Sequence, residues 1–181
     1  MAHQSVFNRK PANRSWLPNL QRIGAVLLIA TSAAAFAGPP ASDPVRNRTF
    51  IDGAFARWAA GGSDFFNEVL DENTVWTIKG SGPSAAVHRG RKAFVEHAVR
   101  PFAARMATPV KPVFRQVWAD GEHVIVRWDG EGVAGDGQPY RNSYVWIFRM
   151  AAGRVAEVTA FLDLPAYDDV LRRVSVTEAK K

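Results

Sequence analysis

The chain has 181 residues, no cysteine, and 23 basic against 17 acidic side chains. That length suffices for one well-buried domain with an appendage, and the lack of cysteine excludes disulfides, thiolate catalysis and cysteine-held metal. The net charge of +6 gives no reason to expect a nucleic-acid partner, because the first 22 residues hold four of the bases and no acid, leaving 19 against 17 elsewhere.

Residues 23–37 form an apolar run of 15 residues that ends Ala35-Phe36-Ala37. This is a small-x-small cleavage signature behind a basic flank, and the run is short for a bilayer-crossing helix. Segment 1–37 therefore reads as a bacterial secretory signal, with an uncleaved anchor as the alternative. Cleavage after Ala37 predicts a periplasmic or secreted product with no stable membrane span. Residues 38–42 read as a Pro/Gly linker, 43–174 as the folded domain and 175–181 as a tail.

Ser42-Asp43-Pro44 resembles a helix start, with a capping side chain and proline in the first turn. Val45, Phe50, Ile51, Ala54, Phe55 and Trp58 then recur at helical spacing, and Gly61-Gly62 stops that helix. Ser63-Asp64 caps a shorter one through Leu70. The spacing predicts a strand over 74–79, a loop from Gly80, and a third helix over 91–106 that Pro101 should kink or shorten. Beyond Pro109 the period falls to two, predicting strands over 113–119, 122–133, 140–150 and 154–162. Asp120-Gly121, Asp136-Gly137 and Gly153 mark the turns, and 165–174 closes the chain as a short helix. Helices followed by an antiparallel meander make an α+β domain. Gly130, Gly132 and Gly135 could supply the bends of a strongly curved sheet.

Trp76, the Gly80-Ser81-Gly82-Pro83 loop, His88-Arg89-Gly90-Arg91-Lys92, Tyr140-x-Asn142-x-Tyr144, Gly153-Arg154-Val155 and Phe161-Leu162-Asp163 together resemble the SnoaL-like, ketosteroid isomerase-like branch of the nuclear transport factor 2 superfamily. The resemblance covers about residues 47–174. It implies a cone-shaped curved antiparallel sheet wrapped on N-terminal helices, a ligand pocket at the open end, and a homodimer by default. It does not imply one chemistry, because the family hosts isomerases, cyclases, hydrolases and proteins without catalysis. Arg127-Trp128-Asp129 matches the Arg-x-Asp pair of limonene-epoxide hydrolases, but Ala160 stands where those enzymes need a second acid. The acid and hydroxyl that ketosteroid isomerases use fall near Thr77 and Phe55, which cannot serve.

Candidate site residues follow from faces and chemistry. Tyr140, Asn142, Tyr144, Trp146 and Phe148 share one strand face, a wall suited to a small molecule. Arg127 and Asp129 also share a face. If it is the pocket face, Asp129 acts as a general base oriented by Arg127; otherwise the two form a structural ion pair. Trp76, His88, Tyr140, Asn142, Tyr144 and Asp163 are the candidate ligand contacts, with Asp163 alternatively capping the last helix. No His/carboxylate spacing suits a metal, and no cofactor motif is present. The expected partner is a small, largely apolar molecule. Two readings stay open: cofactor-free acid–base chemistry on that molecule, or non-catalytic binding or dimeric assembly.

Overall fold

The computed structural model describes residues 43–176. The predicted leader, the linker and the tail beyond 176 lie outside the described residues. Asp43 caps helix α1 (Pro44–Ala59) by accepting from the Arg46 amide, and proline occupies the first turn, as the sequence leads one to expect. Gly61 and Gly62 close α1 by donating to the Trp58 and Arg57 carbonyls. Helix α2 (Phe65–Val69) runs directly into strand β1 (Leu70–Ile78).

The predicted loop after β1 contains a further strand, β2 (Ala86–Arg89), paired antiparallel to β1. It is short and lies at a sheet edge. The predicted third helix is present but irregular: α3 (Arg91–Phe94), a π-helical turn (Val95–Val99) and α4 (Arg100–Ala103). Pro101 has no N–H for the His97 carbonyl, and its ring crowds that carbonyl. A wider turn immediately upstream relieves the crowding.

Strand β3 (Met106–Asp120) starts seven residues earlier than periodicity suggests, and it includes Pro109 and Pro112. It tolerates them because it is the other edge of the sheet, where one side of the backbone needs no partner. Strands β4 (His123–Ala134), β5 (Pro139–Ala151) and β6 (Arg154–Leu162) follow as predicted, and helix α5 (Leu164–Arg173) ends the fold. The six strands form one sheet in the order β2-β1-β6-β5-β4-β3, antiparallel except between β1 and β6.

The core lies between α1, α2, α3 and the inner sheet face. Ile51 and Phe55 of α1 meet Val124, Val126 and Trp128 of β4, Trp146 and Phe148 of β5, and Val155, Val158 and Ala160 of β6. A second small cluster joins Phe102, Tyr140, Val170 and Val174 under α5. The pairing of β3 with β4 slips three times between Met106 and Phe114. Opposite those slips stand Gly130 and Gly132, where the strands approach too closely for side chains. A Cβ on Gly130 would lie 2.8 Å from both the Trp128 ring and Val110, and one on Gly132 would lie 2.8 Å from the Thr108 carbonyl oxygen. The glycines thus let β3 fold over β4, as expected for a curved sheet. Gly135, the third expected bend, accepts no such role in a bulge; its amide bonds the Arg105 carbonyl at 2.7 Å.

Gly130→Ala should therefore destabilise the domain by about 1–3 kcal/mol, the cost of forcing a methyl into packed rings. Urea unfolding of the two proteins, compared by midpoint, checks this.

Candidate functional site

Strand alternation decides what faces inward. In β5 the buried positions are Tyr140, Asn142, Tyr144, Trp146, Phe148 and Met150, the shared face read from the sequence. In β4 they include Val124, Val126 and Trp128. Around these rings a cavity of about 410 Å³ remains open, within the roughly 300–1,000 Å³ of small-molecule sites. Its walls are rings from the helices (Trp58, Phe66, Phe94) and from the sheet (Trp76, Trp128, Trp146). Trp76 stacks on Phe94 at 4.0 Å between centroids, and Trp128 stacks on Tyr144 at 3.9 Å. Ala160 and Leu162 supply the β6 wall. Among the described residues that line the cavity there is no Asp, Glu or His; Lys111, Ser63, Tyr144 and Tyr167 are its polar side chains beside the indoles. The Trp128 indole N–H is buried without an acceptor.

Two of the eight residues predicted for the site, Trp76 and Tyr144, line this cavity. Two more stand behind it. The Tyr140 and Tyr144 hydroxyls are 2.8 Å apart, and the Asn142 side-chain amide donates to Tyr140 Oη at 2.9 Å. The same Nδ2 donates to the Asp163 carbonyl, while Asn142 Oδ1 accepts from the Asp163 amide, both at 2.9 Å. Asn142 therefore clamps the junction of β6 and α5. Burial pushes the Tyr140 phenol up to about 12 and the Tyr144 phenol well above its ordinary value, since an anion there would lose its hydration.

The other four are corrected by the geometry. Arg127 and Asp129 have the opposite parity to Trp128 and stand on the outer sheet face, 3.2 Å apart. The Arg127 guanidinium lies 4.5 Å over the Phe114 ring, and Ser143 Oγ donates to Asp129 Oδ1 at 2.7 Å. The pair is a surface ion pair and cannot exchange a proton with anything in the cavity. His88 sits on edge strand β2 with its ring 5.7 Å from Phe94, outside the lining. Partial burial, with the nearby His97 charge, lowers its proton affinity. Asp163 caps α5, accepting from the Ala166 amide at 3.3 Å. Trp58, Phe66, Phe94 and Lys111 line the cavity without having been expected at the site; Trp58 read only as a position at helical spacing. Among the described residues no cluster of His, Asp or Glu could hold a metal, and no helix is long and apolar enough to cross a membrane.

The fold and the cavity invite comparison with known proteins. A SnoaL-like domain model matches residues 51–158. The chain belongs to the SnoaL-like domain family. No curated protein matches it. Among solved structures the domain is similar to an NTF2-like protein from Burkholderia xenovorans LB400, with 21% identity, 72% of this chain and 99% of the other covered, and a TM-score of 0.56. It is also similar to a SnoaL-like polyketide cyclase from Jannaschia sp. CCS1, at 21% identity, 76% and 98% coverage and a TM-score of 0.56. A third likeness is TerC, crystallised with polyporic acid, at 14% identity, 70% and 98% coverage and a TM-score of 0.57. At these identities the neighbours establish the fold, a curved sheet on helices, and not a reaction.

The SnoaL-like domain should lose stability as pH rises. Both phenols are held protonated in the folded state; the Tyr140 contribution is complete below the unfolded tyrosine value near 10 and is lost as pH rises through about 12, and Tyr144 is shifted in the same direction by burial. Urea midpoints measured across that window should fall, and Tyr140→Phe should make the fall shallower. Asn142→Ala removes three hydrogen bonds and leaves the Asp163 amide unpaired, while the Asp163 carbonyl keeps the Tyr167 amide at 3.2 Å. It should cost about 2–4 kcal/mol, read from the same unfolding curves at neutral pH.

Proposed function

We infer that this SnoaL-like domain binds a flat, apolar small molecule and takes it out of water without acid–base chemistry on it. One observation carries the reading: the cavity is walled by aromatic rings and its lining holds no carboxylate and no imidazole. Transfer of apolar surface into such a site contributes about 25 cal/mol per Å², and stacked rings add to it. A general base needs to be within hydrogen-bond reach of the proton it takes, and the described residues of the lining include no carboxylate or imidazole to act as one. The likeness to TerC, crystallised with polyporic acid, agrees with a small-molecule ligand.

A second reading, an isomerase or cyclase, draws on Tyr144. If Tyr140 donates to Tyr144, the chain from Asn142 through Tyr140 leaves the Tyr144 proton free to meet a carbonyl oxygen in the cavity. Such a donor can stabilise an enolate, but it needs a partner base from the substrate or solvent. The export read from residues 1–37 belongs to the same proposal: a carrier or sink for an apolar molecule outside the cytoplasm, as a dimer. Native mass spectrometry of the protein purified from its own periplasm tests it by reporting the leader, the subunit number and a retained ligand together.

Binding of prodan, a neutral naphthalene dye, should be saturable and accompanied by a blue shift of its emission. Ala160→Leu, which places extra carbon in the cavity, should weaken that binding at least about tenfold, in line with the cost of overpacking a filled site. Asp129→Asn should leave it within about twofold, because that carboxylate is on the far face of the sheet. Equal losses in the two variants would sink the assignment of the cavity.

A further inference from the structure

We propose that the natural ligand is an amphiphilic anion, a flat apolar body bearing one carboxylate or comparable acid, and that Lys111 holds the acid group at the cavity mouth. This rests on the binding reading above and adds the ligand's chemical class. Lys111 lies in the irregular first half of β3 and lines the cavity together with Gly61, Gly62 and Ser63. Its ammonium stands over the turn between α1 and α2: a Cβ on Gly61 would be 3.4 Å from Nζ.

Nothing among the described residues neutralises that charge. Among the described residues no carboxylate lies within ion-pair distance of Lys111. Its cross-strand partner Glu131 is held instead by Arg141 at 3.2 Å, and Glu68, beyond the same turn, is held by Arg57. The end of α1 favours a cation near it, but its Arg57 and Trp58 carbonyls already accept from Gly62 and Gly61. That arrangement keeps the ammonium at the mouth while leaving its three donors for an incoming acceptor. Lys111 is exposed, so its charge is not desolvated. With no acid among the described lining residues to oppose it, the mouth attracts an anionic head and disfavours a cationic one. The ring walls then take the apolar body.

Isothermal titration with naphthoate and naphthamide tests this, since the two share one ring system and differ in charge. The native protein should bind naphthoate about fivefold more tightly than the amide, the upper range for an exposed ion pair. The preference should shrink on adding salt. Lys111→Met should bring the ratio to about one while keeping amide affinity, and Lys111→Arg should retain the preference. Amide and acid binding equally to native protein, or a preference that survives in Lys111→Met, overturns the anionic-head proposal and leaves the pocket reading intact. Failure of both probes to bind overturns the pocket reading itself.

Discussion

The face-to-face stack of Trp128 on Tyr144, across the pairing of β4 with β5, is the contact on which the rest of the structure depends. Two large rings at opposed positions need free space beside them, and Gly130 leaves that space by carrying no side chain against either ring. The same glycine lets β3 come in over β4, so the sheet curves rather than lying flat. Curvature turns the inner face into a concave wall. Helices α1 to α3 cover that wall with their own rings, and those rings do not fill it completely.

The stack also positions the polar part of the wall. Tyr144 held flat against Trp128 places its hydroxyl beside that of Tyr140, which Asn142 anchors in turn. Asn142 reaches past the ring to the backbone at the start of α5. The cavity and the last helix are therefore fixed by one buried hydrogen-bond chain. Such chains are costly to leave half made, so they favour a single arrangement of the wall. A preformed wall of this kind loses little conformational entropy when a ligand enters.

Much of this was legible along the chain. The inward face of β5, the turns, the cap at Asp43 and the role of glycines in β4 all follow from local rules of spacing and backbone freedom. Asp163 as a cap was one of two readings, and the geometry selects it. Arg127 and Asp129 were open to two readings, a pocket pair or a structural ion pair, and strand alternation favours the second. Val124, Val126 and Trp128 are apolar at alternate positions, so the residues between them must face the other way. Strand β2 and the early part of β3 were less accessible. One is four residues long, and the other passes through two prolines that only an edge position permits.

The sequence by itself determined most of the strand and helix segments, and which residues share a face, because those properties depend on neighbours a few residues apart. It also determined the family. Tertiary structure decided how the helices close over the inward face, since that depends on contacts between distant elements. It decided too that rings from α1, α2, α3, β1, β4 and β5 surround a common hollow, and that Lys111 stands at its mouth over Gly61, 50 positions away in the chain. Such contacts join residues with no local relation, and only the closure of the curved sheet over the helices brings them together.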